Sequence, residues 1–198
     1  LTLNGDTGAA AGTLSITNFK SDLVTTNATS GAITVTLVDN SDDNDVTISA
    51  NSNAGTDLSI TGGAGTDTVT IGAVAGDVVA TGTLNSILSV TGTSAAQTIT
   101  GGAGADTITG AGGDDKLQGG DGNDVFLIAA AGDHTSAATI TGGNNTDVVR
   151  FTSTSGGTLT VASAVDVETV MISNAGGTTT GTSAEKIDAS NNSNALAL

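Results

Sequence analysis

The sequence predicts an all-β fold of the solenoid class, in which short strands are joined by turns rich in glycine and aspartate. Three observations predict it. Apolar and polar residues alternate over runs of four to six positions that end at Gly, Asn or Asp. Most run centres lie roughly nine to fourteen residues apart, and no segment keeps a helical period. One segment, residues 92–127, is a tandem array of nonads without a gap.

The composition suits stacked strands better than a globular core. The 198 residues include 29 Gly and three Phe, with no Trp, Tyr, Pro or Cys, so we expect a thin core of Ala, Val, Ile and Leu. Disorder is an alternative for such a chain, but regularly spaced β-branched residues argue against it. About eighteen strands alternating between two sheets would form nine turns, about 40 Å tall, of a single continuous β-solenoid over residues 1–198.

The charge of the chain limits its partners. Twenty acidic and four basic residues give a net charge of −16, which excludes nucleic acid and argues against anionic lipid. No apolar run approaches membrane-spanning length, so we expect no membrane insertion. Eighteen of the acids are Asp, and short carboxylates in tight turns suit hard cations. Zinc is disfavoured, because Cys is absent and His134 is the only imidazole.

The most regular part of the chain is the block of four nonads at residues 92–127. The nonads read GTSAAQTIT, GGAGADTIT, GAGGDDKLQ and GGDGNDVFL. Isolated copies, GGAGTDTVT and the degraded GGNNTDVVR, occupy residues 62–70 and 142–150, and looser strand-turn segments lie on both sides of the block. The eighth position of each nonad in the block is apolar: Ile99, Ile108, Leu117 and Phe126.

These nonads resemble the repeat GGxGxDxUx of RTX proteins. The resemblance implies a parallel β-roll whose Gly/Asp-rich turns bind several Ca²⁺ ions. The residue types support the same chemistry. Glycine adopts left-handed conformations that bring carbonyl oxygens inward, aspartate adds a charged oxygen, and Ca²⁺ takes about six to eight oxygen ligands. One turn cannot supply so many, so we expect neighbouring turns to share an ion.

The strongest candidate site joins two complete loops. Two nonads make one full turn, so loops that are two nonads apart should stack on the same side of the roll. Asp106 and Asp124 have this separation, and both loops keep the motif. The resemblance implies that backbone carbonyls join these carboxylates around one ion, near Gly102, Gly104, Gly120 and Gly122.

The opposite edge of the roll is less complete. Gln97 replaces an aspartate, so a site shared with Asp115, whose loop contains Gly113, would have one fewer charge and bind more weakly. Asp133 lies two nonad lengths beyond Asp115 and in phase, which makes that pair a second candidate. Its loop, AAAGD, departs from the glycine pattern, which leaves its carbonyl ligands open.

Other candidates lie outside the block. Asp67, with Gly63 and Gly65, fits the motif but lacks a clear partner on its side. Ordinary turns are the alternative for these residues, because Gly and Asp both favour turns. The remaining candidates are Asp57 paired with Asp77 across looser loops, and Asp147, whose loop has Asn145 in place of a glycine.

Residues 39–45 hold four aspartates, the densest charge cluster. An EF-hand would need Gly at the sixth position and Glu at the twelfth, where the chain has Asn44 and Ala50. The cluster is therefore a solvated loop or an extra calcium site. Residues 39–45 and 156–157 are also the best linker candidates, although neither divides the chain. No signal peptide is apparent and the chain begins at Leu1, so we expect a processed product or an excised part.

We do not expect an enzyme. His134 is adjacent to Asp133 and near Ser136, but no GxSxG elbow accompanies them, so an exposed turn histidine is expected. Ice binding through outward Thr ladders is also disfavoured. Thr98 and its equivalents would stack on other residue types: Thr98 and Thr100 on Lys116 and Gln118, Thr107 and Thr109 on Val125 and Leu127.

Two later segments, residues 165–173 and 182–190, resemble the Thr-rich rungs that follow RTX repeats in bacterial S-layer and adhesin proteins. The resemblance implies a secreted structural protein of the bacterial cell surface or matrix, which folds with calcium and self-assembles. Its expected partners are copies of itself, as a sheet or filament, and cell-surface polysaccharide. The alternatives are an adhesin or ice-binding module, or the secretion and folding tail of a secreted enzyme.

Overall fold

The computed structural model describes residues 2–4, 14–19, 23–26, 33–37, 45–49, 58–61, 68–71, 77–81, 87–135, 137–161, 163–178 and 185–189. Within these ranges almost all regular structure is β-strand, and the one helical element is a single 3₁₀ turn, Ala131–Asp133. In this part of the chain no helix is long and apolar enough to span a membrane.

The strands are short, with two to six residues each. In chain order they are β1 Thr2–Asn4, β2 Leu14–Phe19, β3 Leu23–Thr26, β4 Ile33–Leu37, β5 Asp45–Ser49, β6 Leu58–Thr61, β7 Thr68–Ile71, β8 Val78–Thr81, β9 Ile87–Thr91, β10 Thr98–Gly102, β11 Thr107–Thr109, β12 Lys116–Asp121, β13 Val125–Ile128, β14 Thr139–Asn144, β15 Val148–Phe151, β16 Gly157–Thr160, β17 Ala164–Val165, β18 Thr169–Ile172 and β19 Glu185–Asp188.

Successive strands alternate between two parallel sheets, as the sequence predicts. The nine-stranded sheet has the order β1-β3-β5-β7-β9-β11-β13-β15-β18, and the eight-stranded sheet has the order β17-β14-β12-β10-β8-β6-β4-β2. Each strand thus pairs with the strand one full turn away. The prediction of an all-β parallel β-roll is confirmed. The prediction of one continuous domain over residues 1–198 stays a prediction.

The length of a turn is constant only within the nonads. Thr98 pairs with Lys116 and Thr107 pairs with Val125, and in both pairs the partners are two nonads apart. The next pairing of β12 joins Lys116 to Thr139, a longer step along the chain, because the loop between β13 and β14 contains extra residues and the 3₁₀ turn. The pairing of Thr98 with Lys116 and of Thr107 with Val125 also confirms that the Thr ladder is broken.

The core lies between the two sheets and is built from the alternating residues of each strand. Burial alternates with sequence position in β9 to β15, so that one face of each strand packs inward. The four apolar eighth positions of the nonads are all buried, and Ile99, Ile108 and Phe126 are completely so. Their burial confirms the thin apolar core expected from the repeat.

A small parallel sheet lies outside the alternating order. It pairs β16 with β19, with Leu159 opposite Ile187. Leu159 and Val161 are fully buried and belong to the same apolar cluster as the inner residues of the two main sheets. The loop that carries β16 therefore adds a layer to the core instead of extending either main sheet.

Candidate calcium site

One edge of the roll carries a column of acidic side chains, each at the position immediately before a strand of the nine-stranded sheet. The strand registers put Asp106, Asp124, Asp147 and Glu168 in successive turns of this edge, with Leu88 in register in the turn before Asp106. We call it the Asp106 column. Because parallel strands begin at the same edge of a sheet, the repeat places these side chains one above the other.

Hydrogen bonds join each aspartate of the Asp106 column to the turn before it. The backbone N–H of Leu88 donates to Oδ1 of Asp106 at 2.8 Å. The N–H of Asp106 donates to Oδ1 of Asp124 at 2.8 Å, and that of Asp124 to Oδ1 of Asp147 at 2.8 Å. One oxygen of each carboxylate is therefore used to hold two turns in register.

The other carboxylate oxygen of these residues has no partner. Asp106, Asp124 and Asp147 are no more than 1% exposed, and Oδ2 of each is buried without a hydrogen bond. Burying a carboxylate oxygen without a donor or a cation is costly, and such atoms are rare in folded proteins. Three of them in one column indicate that something beyond the protein chain satisfies them.

The first glycine of each nonad forms the space around this oxygen. A Cβ on Gly101 would overlap both Oδ2 of Asp106 and the carbonyl oxygen of Gly119 in the next turn. A Cβ on Gly119 would likewise overlap Oδ2 of Asp124 and stand 2.7 Å from the carbonyl oxygen of Gly142. A carboxylate oxygen and a carbonyl oxygen thus converge on each of these glycines, and the carboxylate oxygen has no donor, which is the kind of oxygen-rich environment that Ca²⁺ uses.

Burial changes the acidity of these aspartates. Desolvation raises the pKa of Asp106 to about 7 and that of Asp124 to about 6, against the lowering effect of the hydrogen bonds that they accept. The neighbouring carboxylates of the column raise both values further. A proton therefore competes with a cation for these carboxylates near neutral pH.

The glycines predicted to flank the site stack in pairs. Gly120 and Gly122 have φ of +119° and +120°, which suit glycine, and their α-carbons lie directly against the carbonyl oxygens of Gly102 and Gly104. A side chain at either position would overlap the carbonyl of the preceding turn. The structure thus stacks Gly102 on Gly120, Gly104 on Gly122 and Asp106 on Asp124, while a shared ion and the role of these carbonyls as ligands stay predictions.

The opposite edge brings Gln97 and Asp115 together in the same way. The N–H of Gln97 donates to Oδ1 of Asp115 at 2.9 Å, and Oδ2 of Asp115 is buried against Gly110 without a partner. Burial raises the pKa of Asp115 to about 6. Gly113 has a φ of +116°, and a Cβ added to it would lie only 2.8 Å from the carbonyl oxygen of Ala95.

The phase predicted for Asp133 is wrong. The lengthened turn puts Ala138, immediately before Thr139, in register with Asp115. Asp133 instead lies in the 3₁₀ turn, where its Oδ2 accepts a hydrogen bond from the N–H of Ala130 at 2.8 Å. Its carboxylate is still close enough to raise the pKa of Asp115. Counting by nonads fails here because the extra residues of the turn shift the register.

The environment expected for His134 is also wrong. The side chain is 3% exposed, its Nε2 has no hydrogen-bond partner, and burial lowers its pKa. It follows the 3₁₀ turn directly and has an extended backbone. The sequence does not reveal this burial, because the polar residues around His134 are typical of an exposed turn.

Asp147 is a full member of the Asp106 column despite its altered loop. Asn145 stands where the motif has its second left-handed glycine and adopts a φ of +83°, a conformation that Asn tolerates better than most residues. The sequence reasoning missed Glu168, whose Oε2 accepts the N–H of Asp147 at 2.6 Å. The sequence feature that could have identified Glu168 is an acidic residue directly before a strand, which recurs in DTIT, DVFL, DVVR and ETVM.

The remaining candidates are only partly described. Asp77 accepts a hydrogen bond at Oδ1 from the N–H of Thr98, at 2.6 Å. Leu58 pairs with Val78, so the strands that follow Asp57 and Asp77 are in register. Several predicted residues lie outside the described ranges: Asp57, Gly63, Gly65, Asp67 and residues 39–44.

Within the described residues, no three His, Cys, Asp or Glu side chains surround a common point. A cation here must therefore take part of its ligands from backbone carbonyls, as each glycine cradle offers. This donor set consists of carboxylate and carbonyl oxygens, without nitrogen or sulfur, and it fits Ca²⁺.

Stacked Gly/Asp turns along a two-sheet parallel roll define the class of calcium-binding β-roll proteins. Residues 91–126 match the family model of the RTX calcium-binding nonapeptide repeat, in four copies. This block is thus an RTX repeat region, and RTX nonapeptide repeats bind Ca²⁺ at multiple sites. RTX repeats occur in secreted bacterial proteins, which indicates an extracellular location. No curated protein and no solved structure matched the chain.

Proposed function

We propose that this protein is an extracellular structural protein, which folds when it binds Ca²⁺ and then self-assembles into a bacterial surface layer or matrix fibre. The observation that carries the proposal is the unpartnered, buried Oδ2 of Asp106, Asp124 and Asp147. Without a cation, these buried oxygens lower the free energy of unfolding. A cation bound to them raises it.

The coupling of folding to calcium follows from where the ligands originate. Oδ2 of Asp106 and the carbonyl of Gly119 belong to different turns and meet only in the folded roll. A ligand that binds only the folded state stabilises it by about 2.7 kcal/mol when its concentration is a hundred times Kd. Extracellular calcium modules bind at about 0.1 to 1 mM, so the chain would stay unfolded inside the cell and fold outside it.

Self-assembly is supported by the ends of the two sheets. Among the described strands, β17 ends the eight-stranded sheet and β18 ends the nine-stranded sheet. Terminal strands offer unpaired backbone groups to another chain. Val165 in β17 is also one of the exposed large apolar side chains. With a net charge of −16, neighbouring copies repel each other unless cations lie between them, so assembly should need calcium as folding does.

We further propose a structural instead of a catalytic role. His134 is the only imidazole in the chain, and its burial removes it from contact with a substrate. The carboxylates with raised pKa values lie in the glycine cradles, where the calcium chemistry accounts for their burial. An RTX secretion and folding tail of a larger enzyme is the second candidate, because the nonads alone are common to both kinds of protein.

The experiment is a calcium titration of the chelator-treated protein, followed by static light scattering and negative-stain electron microscopy. Sheets or filaments that form at millimolar Ca²⁺ and dissolve in chelator would support surface assembly. A folded monomer at every calcium concentration would reject self-assembly and favour the tail or adhesin interpretation. Mg²⁺ at the same concentration is the control for simple charge screening, because it tolerates these flexible oxygen sites poorly.

A further inference from the structure

We propose that the outer face of the nine-stranded sheet is an interface with a second copy of this chain, in which the two sheets pack face to face. The proposal rests on the proposed self-assembly and names the surface through which copies join side by side. Two observations carry it: this face presents a group of apolar side chains, and its described strands present no acidic ones.

The apolar group lies on the last three strands of the sheet. Val125 and Leu127 of β13, Val148 of β15 and Met171 of β18 point outward and are partly exposed. Val125 is in register with Val148, and Leu127 is in register with Arg150, which in turn is in register with Met171. The four apolar side chains therefore form one contiguous surface, which we call the outer patch.

The fold does not require apolar residues at these positions. The seventh and ninth positions of the nonads face outward in both sheets, and the first three nonads fill them with Thr, Lys or Gln. The fourth nonad has Val125 and Leu127 there. The outward residues of the eight-stranded sheet are mainly polar: Thr98, Thr100, Lys116, Gln118, Thr139 and Thr141. The outer patch is thus specific to one face, as expected of a contact surface.

The charge of the chain indicates that the occupant is another copy. Each copy carries a net charge of −16, so copies meet with least repulsion through a surface without acids. In β9, β11, β13, β15 and β18 no outward side chain is Asp or Glu, and the one charged residue is Arg150. Arg150 therefore gives this face a charge opposite to that of an approaching copy.

Arg150 is held in place at the border of the outer patch. Its Nη1 donates to the carbonyl oxygen of Ala175 at 2.6 Å, and a Cβ on Gly177 would lie 3.1 Å from Nη2. The loop that contains both residues is itself closed by a hydrogen bond from the N–H of Gly177 to the carbonyl of Asn174 at 2.9 Å. The positive charge is thus fixed beside the apolar side chains.

The dimensions of the sheet suit a contact between two copies. Nine parallel strands span about 38 Å, and four residues along a strand span about 13 Å. A face-to-face contact over this area would bury about 1,000 Å² in total, the lower limit for a specific interface. Rows of side chains recur at the same spacing of about 4.8 Å on both copies, which allows them to interdigitate as in stacked sheets.

The test is sedimentation velocity of the full chain in saturating Ca²⁺, comparing wild type, Leu127→Glu and Gln118→Glu. Gln118 is exposed and occupies the same position of its nonad as Leu127, but on the eight-stranded sheet, so both variants add one charge to an outward position. We expect Leu127→Glu to need about tenfold more protein to associate, because an acid would then be buried against another acidic copy. Gln118→Glu should associate as the wild type does.

A milder variant keeps the test valid if Leu127→Glu does not fold. Leu127→Thr copies Thr109, the residue at the same position one turn earlier, and should weaken association in the same direction. Far-ultraviolet circular dichroism in saturating Ca²⁺ checks the fold of each variant. Calcium-dependent association that is unchanged in Leu127→Thr and in folded Leu127→Glu, or weakened equally in Gln118→Glu, would overturn this interface and leave the proposed assembly standing. A folded wild type that stays monomeric would reject both.

Discussion

The backbone N–H of Asp106 donates to Oδ1 of Asp124 at 2.8 Å, from the equivalent position one full turn earlier in the roll. This hydrogen bond uses one oxygen of the carboxylate to fix the spacing of two turns and leaves the other oxygen facing the carbonyl of Gly142. The same side chain thus holds the backbone of the preceding turn and presents an unpartnered oxygen toward the following turn.

Asp124→Asn should stabilise the calcium-free protein. The amide keeps an oxygen for the N–H of Asp106 and presents an NH₂ donor to the carbonyl of Gly142 in place of the unpartnered Oδ2. Removing a buried unsatisfied acceptor should raise the free energy of unfolding by about 1 to 3 kcal/mol. Far-ultraviolet circular dichroism in chelator measures the change, as a larger β signal in Asp124→Asn than in the wild type, with the exposed Asp121→Asn as control. Equal β signals of Asp124→Asn and wild type in chelator would show that Oδ2 of Asp124 does not destabilise the calcium-free fold.

Gly119→Ala should destabilise the calcium-bound protein severely. The new methyl group would overlap Oδ2 of Asp124 and stand 2.7 Å from the carbonyl of Gly142, so either the carboxylate or the next turn must move. We expect a loss of more than about 2 kcal/mol, and a lower calcium affinity, because the cradle itself is filled. Thermal unfolding at saturating Ca²⁺ measures the loss. Gly132→Ala is the matched control, and a similar small effect in both variants would contradict the cradle.

Acid should stabilise the calcium-free fold. The pKa of Asp106 is about 7 in the folded state and that of Asp124 about 6, both above the ordinary 3.8. A raised folded pKa contributes stability that is complete below about pH 4 and is lost as pH rises through the folded pKa values. In calcium-depleted buffer the β signal should therefore be larger at pH 5 than at pH 7.5. In saturating Ca²⁺ this order should reverse, because protons then displace the ion. A β signal without pH dependence in calcium-depleted buffer would refute this account.

Gln97→Asp should add calcium dependence to the opposite edge. Oε1 of Gln97 and the carbonyl of Gly110 both stand 2.5 Å from the position of a Cβ on Gly92, the arrangement that the aspartates make in the Asp106 column. A carboxylate there restores the charge that the repeat motif has elsewhere. We expect about one more bound ion in dialysis and lower stability in chelator. An unchanged ion count would mean that this edge cannot hold calcium even with the missing charge.

The sequence predicted the fold and the stacking of Asp106 on Asp124 because the nonads fix both the strand period and the turn length. The pairing of Asp106 with Asp124 and the burial of Phe126 both follow from counting by nonads. Counting by nonads fails at Asp133, because a loop can lengthen without changing how the strands on either side of it pair. Glu168 was missed for the related reason that its loop keeps the geometry of the repeat without its glycines.

The central claim, that calcium binding drives folding of this roll, is tested most directly by far-ultraviolet circular dichroism of the chelator-treated protein at pH 7.5, before and after Ca²⁺ is added. We predict a weak β signal in chelator that rises cooperatively between about 0.1 and 1 mM free Ca²⁺, the range of extracellular calcium modules. A full β signal in chelator that does not change when calcium is added would contradict the claim.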